Sequence, residues 1–308
     1  MEAPTPAGGP GVSPGPAQTL AWIGTPGALG APGNSPQGTW GPPGEMAIPL
    51  DDRGLLLADG VFETLLVAGG QAWLLAEHLG RWHQGAAILG LPAPPRGEAL
   101  EPLIQEGIRR SGLGWAALRL NWSRGSGGRG VDLPSAAEAP LQPRFWMQLA
   151  PWTPTFAPTR VVVSQWERRH PASPASRCKT FAYGWAVQAR REARSAGADD
   201  ALVLNTRGDL CCGTTANVVL RLEGAWRTPP VSSGCLPGVM RGRALALGLI
   251  QETPLALHHL QEAEGGLLLN SLDCRPLDLQ GPAATAQAKS QATDMARSLW
   301  HRCLGLAA

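Results

Sequence analysis

The sequence predicts an α/β (α+β) protein of two domains, and three observations predict it. With 308 residues, the chain is long enough for two domains of ordinary size and a large core. Runs of β-forming residues alternate with segments whose apolar residues recur at helical spacing. Near the middle, Pro151, Pro154 and Pro158 interrupt both patterns. The predicted organisation is a mostly Pro/Gly-rich, flexible segment over 1–49, a small N-terminal α/β domain over 50–150, a linker over 151–158 and a larger C-terminal domain over 159–308.

The elements follow in order. Residues 1–49 carry too much Pro and Gly to bury much apolar surface. Only Leu20–Ile23 reads as a strand there, ahead of a long mobile hairpin loop, and regular order is expected from Ala47. Val61–Val67 carries β-formers, Gly69-Gly70 turns, and Ala72–Leu75 returns. Glu77–Leu89 has Leu79, Trp82, Ala86 and Leu89 at helical spacing and stops at Gly90 and Pro92. A second helix is predicted over Gly97–Arg110, then strands at Ala116–Trp122 and Phe145–Ala150, with the glycine-rich loop Arg124–Gly130 between them. The second domain opens on a strand, Arg160–Ser164. A helix from Thr180 to Ala196 follows, then strands at Ala201–Leu204 and Ala216–Leu222. A further helix runs from Val239 to Gln251, a strand covers Gly266–Leu269, and a helix closes the chain from Gln280 onward.

Composition narrows the function classes. Hydrophobic residues make up 44% of the chain and charged residues 16%, which suits a globular protein with a weakly charged surface. A net charge of +2, from scattered arginines, argues against nucleic acid or an acidic membrane as partner. No basic n-region with an apolar h-region opens the chain, and no apolar run is long enough to span a bilayer. The six cysteines lack the CxxC spacing of zinc sites and redox pairs, and adjacent Cys211 and Cys212 make a poor disulfide. These features predict a reduced, soluble, cytoplasmic protein. No metal site is predicted: the six histidines form no ligand motif, and His258 and His259 are expected to point to opposite sides of the backbone.

Three features suggest a pocket for a phosphorylated ligand. Lys179, one of few lysines, stands at the mouth of the predicted 180–196 helix. A lysine amine can condense with an aldehyde once burial or nearby positive charge lowers its pKa. Gly234–Gly238 leads into a helix whose first-turn N–H groups favour an anion. Arg81 has a guanidinium that can fork onto phosphate oxygens. Each feature has an ordinary alternative: a surface lysine, a loop that binds nothing, a solvated helix face.

Taken together, the chain resembles the class IV aminotransferases, the pyridoxal-phosphate enzymes of fold type IV. Asp59-Gly60-Val61-Phe62-Glu63-Thr64 resembles the family's GDGVFET, and Glu77–Trp82 its HLxRL. Lys179-Thr180-Phe181-Ala182-Tyr183 is similar to KSLNY, Gly208–Asn217 to GxVxEgttsN, and Gly234–Arg241 to GxLPGITR. Leu269–Leu272 with Arg275-Pro276 resembles TNSLxxxRPV, one residue short. The resemblance implies a C-terminal cofactor-binding domain built as a pseudo-barrel with helices, and a homodimer. It also implies that Lys179 carries pyridoxal 5'-phosphate and moves protons. Arg81, the N–H groups of Val239 and Met240, and Ser271 would hold the phosphate. Leu236 would lie against the ring and Tyr183 would meet the ring's 3′ oxygen, with plain core packing the alternative for both.

One position departs from the pattern. Where the family has a glutamate that keeps the ring nitrogen protonated, this chain has Cys212. A thiol is a weak hydrogen bonder and cannot match a carboxylate's charge. That weighs against transamination, which leans on an electron-poor ring, more than against an elimination driven by aromatisation, and it leaves a weakened homologue open. Ser123–Gly130 closely resembles the RGSGGRG loop of the 4-amino-4-deoxychorismate lyases. That resemblance implies a dicarboxylate substrate held by Arg124 and Arg129; the alternative is a solvent-exposed glycine loop. The neighbouring D-amino-acid and branched-chain aminotransferases fit less well, since Val131 stands where the former has a histidine and Phe62–Leu66 departs from the FEGIR of the latter.

Overall fold

The computed structural model describes residues 18–24, 37–127, 130–133, 141–279 and 285–306. It divides into two units, Met1–Thr153 with Cys178–Ala182, and Pro154–Arg177 with Tyr183–Ala308.

The first unit is built on six strands: β1 (Leu20–Gly24), β2 (Gly38–Gly41), β3 (Gly60–Ala68), β4 (Gln71–Ala72), β5 (Trp115–Ser126) and β6 (Gln142–Pro151). They form one antiparallel sheet in the order β2-β1-β6-β5-β3-β4. Side chains alternate along a strand, so Val61, Leu65 and Val67 share a face with Leu118, Leu120, Trp122, Phe145, Met147 and Leu149. That face packs with α2 (Leu75–Ile88) and α3 (Gly97–Ser111) into a single core. The opposite face carries Phe62, Thr64, Arg119, Asn121, Trp146 and Gln148, cross-strand neighbours by register. A short helix, α1 (Arg53–Leu57), is capped by Asp52, whose side chain accepts the Gly54 N–H at 2.8 Å.

Two expectations change here. Regular structure begins well before Ala47, because β1 and β2 join the sheet and Trp22 is 1% exposed. The strand expected at Leu20–Ile23 is β1; what the Pro/Gly average hid is β2, which pairs with it. Residues 1–17 and 25–36, which hold most of the predicted flexible segment and its hairpin loop, lie outside the described residues. The helix predicted from Thr180 starts instead at Gly184, because Lys179–Phe181 are extended against β3. The Phe62 N–H donates to the Lys179 carbonyl at 2.8 Å, and the Phe181 N–H to the Gly60 carbonyl at 3.1 Å.

The second unit holds α4 (Gly184–Ser195) and two sheets. One is β7 (Val161–Arg169), β8 (Asp200–Asn205) and β9 (Leu210–Gly213), with β7 and β8 parallel. The other comprises β10 (Asn217–Leu222), β11 (Ala225–Thr228), β12 (Gln251–Glu252), β13 (Gly265–Leu269) and β14 (Cys274–Pro276), in the order β12-β11-β10-β13-β14. Leu202, Leu204, Leu210, Val218, Leu220 and Leu268 form one core shared by both sheets, the barrel-like arrangement the resemblance implies. Around it lie α5 (Val239–Ala246), α6 (His259–Glu262) and α7 (Ala286–Leu304). Helix α5 stops short of the predicted Gln251; its C-cap is Leu247, followed by Gly248 at φ +65°.

His258 and His259 do not point apart. His258 is in the αR region and His259 opens α6, so successive side chains diverge by a helical step rather than across a strand. Their ligand atoms and that of Glu262 lie within 4.8 Å of one another. The Ala256 N–H donates to His259 Nδ1 at 2.9 Å, which puts the ring proton on Nε2 and leaves that ring no unshared pair for a metal. Among the described residues no helix is long and apolar enough to cross a membrane.

Candidate active site

In the first unit, Lys179 is fixed by β3. Besides the backbone bonds given above, Val61 and Thr180 form an antiparallel bridge. The Lys179 Nζ stands 4.4 Å from the centre of the Phe62 ring, and the Arg119 guanidinium lies 3.5 Å from the same ring. Arg119 is steadied by Asn121, whose Oδ1 accepts from its Nε at 2.7 Å. Two basic side chains therefore meet one aromatic ring, that of Phe62. The sequence reading missed Arg119; its signal was a charged residue alternating with Leu118 and Leu120 in a strand.

Arg81 reaches Glu63. Its Nε donates to Oε1 at 2.8 Å and its Nη2 to Oε2 at 2.5 Å, a fork on a carboxylate. His78 Nδ1 donates to the same Oε2 at 2.7 Å. Burial alone would raise the Glu63 carboxyl, but the Arg81 charge and the bonds from His78 and Arg81 hold it at about 2. Burial lowers His78 below its ordinary value despite Glu63, and the charges of Arg81 and Lys179 act the same way, so the imidazole stays neutral.

The glycine-rich stretch departs from expectation. Arg124 was predicted to meet a substrate carboxylate, yet it is 5% exposed and acts as a strut. Its Nε donates to Asp59 Oδ2 at 2.7 Å, Nη1 to the Gly90 carbonyl at 2.7 Å and Nη2 to the Leu89 carbonyl at 3.2 Å, beyond the end of α2. The strand β5 runs through Ser126, so Arg124 is a sheet residue rather than a loop residue. Arg53 also binds Asp59, at 3.0 Å, and donates to the carbonyls of Gly127, Gly130, Val131 and Asp132. Arg129 lies outside the described residues.

In the second unit, one end of the β10–β13 pair gathers most of the remaining predicted residues. Asn217 pairs with Leu269, two residues before Ser271. Its Nδ2 donates to the Leu236 carbonyl at 2.9 Å, and a Cβ on Gly238 would stand 2.0 Å from its Oδ1. Only glycine permits that approach. Helix α5 thus begins with no capping side chain, so the N–H groups of Val239 and Met240 head a bare first turn. Ser271 sits in a turn tied by Asn270, whose Oδ1 accepts from the Leu272 and Asp273 N–H groups at 2.8 Å each. Tyr183 precedes α4, its ring 6.0 Å from that of Trp185. Asn217 and Gly238 are positioning residues that the motifs contained but the reading left without a task.

Cys212 lies in β9 opposite Val203, 6% exposed, in a cluster with Cys211, Cys235 and Ala189 that Trp185 packs against. Arg169 stacks 4.6 Å over Trp185. The adjacent Cys211 thiol draws Cys212 below the ordinary thiol value against its burial, and the Arg169 charge pulls the same way. Cys211 is pushed up in turn. The acid whose charge reaches Cys212 is Asp200, and its carboxylate is spent: Oδ1 accepts from Thr214 Oγ1 at 2.6 Å and the Ala201 N–H at 2.8 Å, Oδ2 from Arg190 at 2.9 Å. Within the second unit the uncapped first turn of α5 suits a phosphate, and within the first unit the Lys179 amine suits an aldehyde. At the position where the family's motif has a glutamate, the chain offers sulfur.

A family model for amino-transferase class IV matches residues 60–278, and the chain belongs to that family, whose members are pyridoxal-phosphate enzymes. Its likeness to particular members is more evenly spread. A Methanocaldococcus jannaschii protein named "Putative branched-chain-amino-acid aminotransferase" is 30% identical over 69% of this chain and 75% of its own length. The bifunctional aminodeoxychorismate lyase / D-amino acid transaminase of Mycobacterium tuberculosis is 31% identical over 59% of this chain and 63% of that protein. The solved fold IV transaminase of Curtobacterium pusillum superposes with a TM-score of 0.76 at 25% identity, covering 92% of this chain and 98% of that one.

Proposed function

We propose that this chain is a pyridoxal-phosphate-dependent lyase that converts 4-amino-4-deoxychorismate to 4-aminobenzoate and pyruvate, a cytoplasmic step of folate synthesis. The observation that carries the reading is Cys212, with the nearby Asp200 already consumed by Thr214, Ala201 and Arg190. Sulfur accepts a hydrogen bond more weakly than a carboxylate. An elimination whose product is aromatic tolerates that loss better than transamination does. The Ser123–Gly130 motif and the lyase half of the Mycobacterium tuberculosis relative's bifunctional name support the same reading.

Bound pyridoxal phosphate supplies an aldehyde that condenses with amines and a ring that withdraws electrons. Lys179 would hold it and, as a free amine, would take and return a proton at Nζ. By the family resemblance, Arg81, the N–H groups of Val239 and Met240, and Ser271 would hold the phosphate, Leu236 would lie against the ring and Tyr183 would meet its 3′ oxygen. Arg119, on the Phe62 ring beside Lys179, supplies the carboxylate contact that Arg124 is too committed to give. The enzyme acts as a homodimer; Leu50, Leu55, Leu56 and Leu57, exposed in the single chain, give that interface apolar surface to bury. Light scattering across a dilution series tests this, and a fully active monomer would refute it.

The deciding assay incubates the protein with the amino-chorismate and follows 4-aminobenzoate, with amino acid and 2-oxoacid pairs as controls. A second reading, an amino-acid aminotransferase, is favoured by the Methanocaldococcus jannaschii relative; turnover of those pairs alone would establish it. Cofactor binding with neither activity would mark a disabled homologue.

A further inference from the structure

Within the apolar core between β3 and α2, one trio of ionisable side chains is buried. Glu63 projects from β3 on the same face as Val61 and Leu65, and His78 and Arg81 face it from α2, three residues apart and so on one side of the helix. The Glu63 and His78 side chains are each 1% exposed and that of Arg81 is 11%. The trio therefore runs outward, with Arg81 as the member that approaches the surface of its unit.

Burying such groups is costly, and well-packed apolar residues of similar volume serve stability as well or better. The geometry supplies a reason for the ions to be there. Both Glu63 oxygens are engaged by Arg81, which fixes the plane of the guanidinium along its Nε–Nη2 edge. His78 Nδ1 in turn fixes the carboxylate through Oε2. An arginine has many rotamers and recognises an oxyanion only when its donors are aimed. Trp82, next along α2, donates its Nε1 to the Val61 carbonyl at 3.3 Å, so helix and strand are pinned where the trio sits.

We propose that Glu63, oriented by His78, is the positioning residue that aims Arg81 at the phosphate of the cofactor. This rests on the reading that Arg81 meets that phosphate. The carboxylate acts through alignment: its negative charge opposes a phosphate, and the fixed donor geometry outweighs that repulsion.

The test compares pyridoxal phosphate with pyridoxal, which keeps the aldehyde and ring but has no phosphate. Dissociation constants for both are measured by absorbance on the purified chain, and the pyridoxal constant divided by the pyridoxal phosphate constant isolates what the phosphate contributes. Arg81→Gln should lower that ratio at least about tenfold. Glu63→Gln and Glu63→Asp should each lower it about tenfold as well, with pyridoxal affinity held within about threefold of wild type. Glu63→Asp is the informative pair member, because it keeps the charge and withdraws the fork by one methylene, and it remains available if Glu63→Gln does not fold. An unchanged or raised ratio in Glu63→Asp, with Arg81→Gln lowering it, overturns the proposal alone. An unchanged ratio in Arg81→Gln overturns the phosphate reading of Arg81 and the proposal with it.

Discussion

Replacing Arg124 by methionine separates a strut from a substrate contact. The side chain gives one charge-assisted bond to Asp59 and two to the carbonyls of Gly90 and Leu89. Bonds to charged groups are worth about 1.5–3 kcal/mol each, and breaking a buried pair costs roughly 3–5 kcal/mol. Asp59 keeps Arg53 at 3.0 Å, so its charge is not stranded, and the two carbonyls belong to half-buried Leu89 and exposed Gly90, where water can replace the lost donor. The expected loss is therefore near the lower end, about 3 kcal/mol. For a unit of this size each kcal/mol lowers Tm by about 2–4 °C, which gives about 6–12 °C. Arg124→Lys keeps the charge without the fork and should fall between. Thermal and urea unfolding followed by tryptophan fluorescence measures the loss. A methionine variant that melts with the wild type but raises KM for the dicarboxylate substrate would restore Arg124 to the substrate site and refute the strut.

Borohydride should fix the cofactor to the peptide containing Lys179, and Lys179→Ala should fold normally without that linkage; label on another lysine would refute the assignment. Stability should decline with acid in two stages. His78 has its folded pKa below 6.5, so the unfolded chain takes up its proton first and stability falls as pH drops from about 6.5. Glu63 at about 2 adds a loss between its ordinary 4.5 and that value, which Glu63→Gln abolishes; denaturant midpoints from pH 8 to 3 check both. Cys212→Glu should raise transamination more than lyase turnover, at an overpacking cost of about 1–3 kcal/mol; a folded, cofactor-loaded variant that gains no transamination would refute the electronic reading of sulfur.

What the sequence made legible was chemistry, and what it hid was geometry. Lys179, Arg81 and the Gly234–Arg241 stretch stand out because their residue types suit an aldehyde and a phosphate, and Ser271 only through the family resemblance. Cys212 stands out by breaking a pattern. Arg124 and Arg119 could not be sorted without the sheet. Both are arginines of β5, and what separates them is strand register and the partners that register brings: Asp59 and two carbonyls for one, the Phe62 ring for the other. The helix start at Gly184 was hidden for a similar reason. Local propensity favours helix from Thr180, and a non-local pairing with β3 overrides it. The strand at Leu20–Gly24 was legible, but not that a second strand would follow it.

The blocks that identify the family are far apart in sequence because they build one another's backbone contacts, and Gly60→Ala tests that coupling. A Cβ at Gly60 would stand 2.3 Å from the Phe181 Cε2 and 2.7 Å from the Trp122 carbonyl oxygen. The first contact is a ring that can swing; the second is backbone of the neighbouring strand and cannot. Phe181 is two residues from Lys179, and its N–H reaches the Gly60 carbonyl itself. The ring is also packed on Trp146 and Phe62, at 5.5 and 6.3 Å between centres, so it has little room to retreat. The added methyl should therefore cost about 1–3 kcal/mol and displace the segment that carries Lys179. Stability and cofactor fixation should fall together, and Phe181→Leu in the same chain should recover part of both by removing the ring. A Gly60→Ala protein that fixes cofactor on Lys179 as fully as the wild type would show that the two blocks are only neighbours, and that the lysine is held by something other than β3.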